Sequence, residues 1–239
     1  MTRLVLESPP ALVMLDVDYT VLCPGPRFEA EGYRALGREF GLDLDPARWG
    51  AAERAVYAAV RQRRERLGTV HDEGLYEVVA TAVIEALGGG DAGAVAAAAR
   101  AQVAEWGRLE NYTLYDDVLP CLARLRAAGL RIALVSNTSR DLDAAAAHFG
   151  LEPFVDFTVA SSLVGCCKPA PQIFRGLLDE AGVPADRAVM VGDDLEDDVR
   201  GAIAAGCHGV LLDRRGRWDV SLPTIRGLDD LPALLGLPA

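Results

Sequence analysis

Near its start the chain reads Ala11-Leu12-Val13-Met14-Leu15-Asp16-Val17-Asp18-Tyr19-Thr20. The first five of these residues are apolar without interruption, which is typical of a central parallel strand that is buried on both faces. The run stops at Asp16, and a second aspartate, Asp18, follows two residues later. Because ligands bind at the carboxyl ends of the strands in open α/β sheets, the stretch predicts a strand that delivers two carboxylates to a binding crevice.

The same arrangement recurs three times further along the chain. Each time a short apolar run ends in a polar residue, and segments with helical periodicity, several of which stop at a glycine, separate the runs. The three runs and the residues after them are 131–135 with Ser136, 188–191 with Gly192-Asp193, and 209–212 with Asp213. Strand and helix alternating at this spacing predict an α/β fold whose core is a doubly wound, Rossmann-like parallel sheet.

The interval from residue 24 to residue 108 has a different pattern. It shows no buried strand, is rich in alanine, arginine and glutamate, and carries helical periodicity in several segments. An all-helical insert of this size, placed directly after the first strand, predicts a separate helical cap domain. The catalytic core would then consist of residues 1–23 and 109–239.

The composition excludes several classes of partner. The formal net charge is −11, whereas nucleic-acid-binding proteins usually carry a basic stripe, so no nucleic acid is expected to bind. No stretch reaches the roughly 18 uninterrupted apolar residues of a transmembrane helix, so no membrane is expected either. Five cysteines are too sparse, and odd in number, for a disulfide framework, which favours a reduced, cytoplasmic protein. The oligomeric state is left open.

The polar residues at the strand ends suit one kind of chemistry. Asp16, Asp18 and Asp193 would form a hard oxygen site that suits Mg²⁺ and leaves room for a phosphate. A metal ion and a lysine would cancel the repulsion between these carboxylates and a phosphate, and Lys168, just before a predicted helix, is the candidate lysine. Ser136-Asn137 can offer a hydroxyl and backbone N–H groups to phosphoryl oxygens. Together these residues predict phosphoryl transfer through an aspartyl-phosphate.

Four motifs along the chain, in order, resemble those of the haloacid dehalogenase (HAD) superfamily. They are Asp16-Val17-Asp18-Tyr19-Thr20, Ser136-Asn137-Thr138, Lys168-Pro169 and Gly192-Asp193-Asp194-Leu195-Glu196-Asp197-Asp198. The resemblance covers nearly all of the predicted core. Within the superfamily, the chain resembles the phosphoglycolate-phosphatase-like members, which have a helical cap after the first motif. It implies a Mg²⁺-dependent phosphatase whose partner is a small phosphorylated metabolite.

The resemblance also implies a role for each motif residue that matches. Asp16 would attack phosphorus, and Asp18 would protonate the leaving oxygen and then activate the hydrolytic water. The residues around the phosphate would be Thr20, which orients the turn, and Ser136, Asn137 and Lys168, which hold the phosphoryl group.

The implied metal site is made of carboxylates and one carbonyl. The ion would be bound by Asp16, by Asp193 and by the backbone carbonyl of Asp18. The resemblance favours Asp198 as the remaining acidic position, because the interval from Asp198 to Gly206 keeps the family's helix spacing. The alternatives that stay open are Asp194 and Asp197.

Asp18 also decides between reaction classes. Haloacid dehalogenases lack an acid–base aspartate two residues after the nucleophile, so Asp18 favours a phosphatase over the first alternative, a 2-haloacid dehalogenase. A second alternative is a binding or regulatory module whose acidic cluster accepts phosphate from a partner kinase, which the long helical insert and the late position of Lys168 fit poorly. The sequence leaves open which phosphomonoester is hydrolysed and which cap residues select it.

Overall fold

The strands of the protein form two sheets. The computed structural model describes residue 4 and residues 6–237. Its strands are β1 (Leu12–Leu15), β2 (Leu22–Pro24), β3 (Tyr112–Leu114), β4 (Arg131–Ser136), β5 (Phe157–Ala160), β6 (Ala188–Gly192), β7 (His208–Leu212) and β8 (Thr224–Ile225). Within the described residues, six of them form one parallel sheet in the order β5-β4-β1-β6-β7-β8, and β2 pairs with β3. The predicted doubly wound, Rossmann-like parallel sheet is therefore confirmed.

The helices separate the strands as the sequence pattern predicted. They are α1 (Ala30–Glu39), α2 (Trp49–Leu67), α3 (Gly74–Leu87), α4 (Ala92–Trp106), α5 (Val118–Ala127), α6 (Leu142–His148), α7 (Ser161–Val164), α8 (Pro171–Ala181), α9 (Gly201–Ala204) and α10 (Leu231–Leu234). A wide π-helical turn over Leu195–Arg200 leads into α9. None of the described helices combines the length and the apolar character that a membrane crossing requires.

The chain divides into two compact units. One consists of Met1–Cys23 with Leu114–Ala239, and the other is Pro24–Thr113, which contains α1 to α4. The sequence placed the end of the helical insert at residue 108, whereas this division places it at Thr113. Residues 109–111 form a 3-10 turn that leads into β3. This segment lacks the helical periodicity from which the sequence analysis recognised the insert. Residues 1–3, 5, 238 and 239 of the predicted core lie outside the described residues.

Strand β1 is the centre of the six-stranded sheet. All four of its residues are 0% exposed, and it pairs with β4 on one side and β6 on the other. Burial on both faces explains its continuous apolar run. The edge strands β5 and β8 were not predicted, because β8 has only two residues and β5 is only half buried, so neither shows a long apolar run.

Helix α8 covers one face of this sheet. Its buried side chains include Ile173, Phe174 and Leu177, which pack with Leu12 and Met14 of β1. Fully burying such a side chain contributes about 1.5–3 kcal/mol. The helix begins at a proline and ends at a glycine in the left-handed conformation, which are the residues preferred at those two positions. This packing fixes the segment just before α8, which carries Lys168.

The unit Pro24–Thr113 has an apolar core of its own. Leu36 of α1 and Ile84 and Leu87 of α3 are almost completely buried in it. The rings of Tyr33 and Trp49 lie 5.8 Å apart between their centroids. A self-contained core of this kind is what an independently folding insert requires.

Candidate active site

Three strand ends meet at the carboxyl edge of the six-stranded sheet. Asp16, which follows β1, lies between Ser136, the last residue of β4, and Asp193, which follows β6. The N–H of Asp16 donates to the carbonyl of Val191 at 2.9 Å, which extends the β1–β6 pairing by one residue. The topology therefore brings together three of the predicted site residues that are far apart in sequence.

The loop after β1 makes a tight turn. The N–H groups of Val21 and Leu22 both donate to the carbonyl of Val17, at 2.9 and 2.8 Å. Tyr19 in this turn has a φ of 65°, a left-handed conformation that costs a non-glycine residue about 1–2 kcal/mol and that clusters at functional sites. The Thr20 side chain is fully buried, and its hydroxyl has no hydrogen-bond partner among the described residues. The geometry suits a supporting role for Thr20 in the turn.

The only lysine of the chain lies at the centre of the site. Lysine and arginine together number 24, and every one except Lys168 is an arginine. The Lys168 ammonium donates to Asp16 Oδ1 at 2.5 Å, to Asp198 Oδ1 at 2.6 Å and to the Val135 carbonyl at 2.9 Å, and the residue is 2% exposed. Burial by itself would lower the pKa of Lys168, but the two carboxylates outweigh burial and raise that pKa. A compact ammonium with three donors suits this position better than a planar guanidinium.

Asn137 holds Lys168 in place from the neighbouring strand end. Its side-chain oxygen accepts the N–H of Lys168 at 2.7 Å, and its amide nitrogen donates to the Lys168 carbonyl at 3.0 Å and to Asp197 Oδ2 at 3.1 Å. The Asn137 side chain thus joins the second, third and fourth motifs, and the group it would offer to a phosphate is its backbone N–H. Ser136 is buried beside it at the end of β4.

Three aspartates form a cluster that could hold a metal ion. Asp16, Asp193 and Asp198 each offer a carboxylate oxygen within 4.8 Å of the other two. Burial raises the pKa of all three carboxyls, to about 7 for Asp193 and well above the usual range for Asp198. Lys168 opposes these shifts without cancelling them. A set of hard oxygen donors with excess negative charge fits a divalent cation such as Mg²⁺.

The structure distinguishes Asp198 from the two other acidic candidates. Asp194 Oδ1 accepts the N–H groups of Glu196 and Asp197, at 2.9 and 2.8 Å, so it caps the π-helical turn. The Asp197 carboxylate accepts the amide of Asn137. Of these three candidates, all within the described residues, only Asp198 offers an oxygen to the cluster.

Gly192 makes room for the Asp198 carboxylate. A Cβ at position 192 would lie 2.1 Å from Asp198 Oδ2 and 2.7 Å from the Asp198 Cβ. We expect Gly192→Ala to displace this carboxylate and to weaken the binding of a divalent cation by about 10-fold or more, as changes in residues that orient metal ligands do. Thermal unfolding across a Mg²⁺ titration measures the affinity. Gly176→Ala is the control, because a Cβ there meets no atom within 4 Å. Unchanged affinity in Gly192→Ala would contradict this role of the glycine.

Two arginines in the site were not predicted from the sequence. Arg140 Nη1 donates to Asp18 Oδ1 at 3.1 Å, and Arg217 Nη2 donates to Asp193 Oδ2 at 3.3 Å. Arg140 follows β4 and Arg217 follows β7, so both lie in loops at the carboxyl edge of the sheet. Their place in loops that follow predicted strands was the one feature of the sequence that could have indicated these two arginines. Residue type gave no such indication, because arginine is common throughout this chain.

The protein thus has an α/β fold with a buried Asp–Lys–Asp arrangement at the carboxyl edge of its parallel sheet. The family model described as haloacid dehalogenase-like hydrolase matches residues 11–206. Phosphoserine phosphatase of Thermus thermophilus is 32% identical over 222 residues, which cover 85% of this chain and 88% of the relative. Ribulose-1,5-bisphosphate 5-phosphatase of Halopiger xanaduensis is 31% identical over 212 residues, 84% of each chain.

A solved structure shows the same fold. YfnB of Bacillus subtilis, bound to magnesium, matches with a TM-score of 0.74 at 20% identity, over 96% of this chain and 100% of that one. The chain belongs to the haloacid dehalogenase-like hydrolase family, as its four motifs predicted. It is therefore a hydrolase.

Proposed function

We propose that this hydrolase is a Mg²⁺-dependent phosphatase that acts on a small phosphomonoester through an aspartyl-phosphate at Asp16. The observation that carries the proposal is the buried Asp16 carboxylate, held by Lys168 at the sheet edge, with Asp18 on the same loop. The names of relatives support the substrate class, since they include phosphatases of phosphoserine, ribulose 1,5-bisphosphate and glyceraldehyde 3-phosphate. The ester that this chain hydrolyses is to be identified by experiment.

Two aspartates would carry the two steps of the reaction. In the first step a carboxylate oxygen of Asp16 forms a bond to phosphorus, the bond from phosphorus to the ester oxygen breaks, and Asp18 gives a proton to the leaving oxygen. In the second step Asp18 takes a proton from a water molecule, whose oxygen displaces the Asp16 carboxylate from phosphorus. Inorganic phosphate leaves and both aspartates return to their starting states.

Positive charge is needed because the site is strongly acidic. Lys168 and Ser136 would hold the phosphoryl oxygens, and Asp16, Asp193 and Asp198 would hold the cation together with the Asp18 carbonyl. A bound Mg²⁺ supplies positive charge against the phosphoryl oxygens and orients the group for transfer. Burial raises the pKa values of all three cluster carboxyls while Lys168 opposes the rise, which supports this part of the proposal, because a bound cation would favour the charged carboxylates.

Asp18 favours this activity over dehalogenation. An alkoxide leaving group needs a proton, whereas a halide does not, so an acid beside the nucleophile is useful to a phosphatase. The helical unit Pro24–Thr113 is proposed to act as the cap that selects the leaving group, by analogy with the family. A cytoplasmic location belongs to the same proposal and is supported by the five cysteines, which form no disulfide with one another in the described part of the chain.

The experiment is a measurement of phosphate release from a panel of small phosphomonoesters, with Mg²⁺ and with a chelator. We expect release from at least one ester in the presence of Mg²⁺ and its loss on chelation. The same protein is assayed for halide release from 2-haloacids as the comparison. Halide release without phosphate release would replace the phosphatase proposal by the dehalogenase alternative.

A further inference from the structure

The Asp18 side chain needs an external partner to hold its direction. The turn after β1 fixes its backbone, but the side chain is 34% exposed, and an exposed carboxylate turns freely about its side-chain bonds. A general acid must lie within about 2.6–3.2 Å of the oxygen that it protonates. A wrong side-chain direction would therefore slow the proton transfer to the leaving oxygen.

Arg140 supplies that partner. Its Nη1 donates to both oxygens of the Asp18 carboxylate, at 3.1 and 3.3 Å. Among the described residues, Arg140 is the donor to this carboxylate. The two residues are distant in sequence but follow neighbouring strands, β1 and β4. The pair therefore exists only because of the sheet order.

Arg140 lies on a fixed stretch of backbone and its side chain is largely buried. The side chain is only 8% exposed, and the backbone N–H of Arg140 donates to Thr138 Oγ1 at 3.0 Å. The next residue, Asp141, caps α6 by accepting two N–H groups. A largely buried arginine whose backbone is fixed by such hydrogen bonds loses less entropy when it orients a carboxylate than a surface arginine does.

We propose that Arg140 is a positioning residue that directs the Asp18 side chain toward the leaving oxygen of the ester: Arg140 Nη1 keeps its hydrogen bond to one oxygen of the Asp18 carboxyl, while the other oxygen carries the proton that Asp18 gives to the leaving oxygen. The inference rests on the proposed phosphatase activity. In this proposal Arg140 acts through Asp18 and not by direct contact with the phosphoryl group. Its effect should consequently depend on how much the leaving group needs a proton.

Leaving-group dependence gives the test. We compare kcat/KM, which reports the steps up to departure of the alcohol, for the best alkyl ester of the panel and for p-nitrophenyl phosphate, whose phenolate needs little protonation. Arg140→Gln should lower kcat/KM for the alkyl ester by about 10- to 100-fold, in line with the cost of misplacing a catalytic group, and by less than about 3-fold for p-nitrophenyl phosphate. Arg140→Lys should recover part of the loss.

A double variant shows whether Arg140 acts through Asp18. In the Asp18→Asn background, Arg140→Gln should produce no further loss on the alkyl ester, because the group that it positions is already gone. The control is Arg126→Gln, which breaks a similar ion pair to Asp156 at the opposite, amino-terminal side of β4, and which should leave both esters unaffected. Thermal unfolding of each variant confirms that it is folded.

The outcomes separate the two proposals. Equal losses on both esters, or losses that multiply in the double variant, would overturn the positioning role while the phosphatase activity stands. No loss in Arg140→Gln would overturn it as well. An absence of phosphate release from any ester by the unmodified protein would overturn the proposed function, and the role of Arg140 with it.

Discussion

Asp16→Asn should abolish phosphate release, with a loss of at least about 1,000-fold in kcat, because removing a nucleophile removes the covalent route altogether. The amide keeps the size of the side chain and can still accept a hydrogen bond from Lys168. In the unmodified protein Lys168 donates to Asp16 Oδ1 at 2.5 Å. The variant also removes one of three crowded carboxylates whose pKa values are raised by burial. We therefore expect its thermal stability without metal to equal or exceed that of the unmodified protein.

Two measurements check this expectation. Steady-state phosphate release gives the loss of activity, and mass spectrometry of a quenched reaction should find one phosphoryl group on the peptide that contains Asp16 in the unmodified protein only. Asp141→Asn is the matched control, since Asp141 caps α6 and asparagine caps a helix equally well. Full activity in Asp16→Asn, or a phosphoryl group on another residue, would contradict a mechanism through an aspartyl-phosphate at Asp16.

Lys168→Met should be the most destabilising single change in the site. It leaves the Asp16 and Asp198 carboxylates buried without their cation, and breaking a buried ion pair from one side costs about 3–5 kcal/mol. Urea unfolding without Mg²⁺ measures the change in the free energy of unfolding. The control, Arg126→Met, breaks a partly exposed pair with Asp156 and should cost about 1 kcal/mol or less.

A second substitution tests the cause of this loss. Lys168→Met with Asp198→Asn should be less destabilised than Lys168→Met alone, because one uncompensated charge has gone. The destabilisation caused by Lys168→Met should also become smaller as the pH falls. Carboxyls with raised pKa values bind protons in the folded state before they do so in the unfolded chain, so a lower pH favours folding. A double variant that is as unstable as the sum of both single changes would contradict the charge argument.

The local sequence determined the four central strands of the sheet and the place of the site. The uninterrupted run in β1 encodes burial on both faces, and the polar residue after each run marks the carboxyl edge, since both are properties of neighbouring residues. Lys168, the single lysine among so many arginines, was predicted from its place before a helix, and it occupies a position that suits a compact ammonium. The four motifs then predicted the family.

Only the tertiary structure decided which side chains meet. Asp198 faces the cluster while Asp194 caps the turn and Asp197 binds Asn137, a choice made by the π-helical turn and by the space above Gly192. Arg140 reaches Asp18 because β1 and β4 are adjacent. Periodicity reports whether a residue is buried, whereas partners distant in sequence are set by strand order and register, which no local pattern contains.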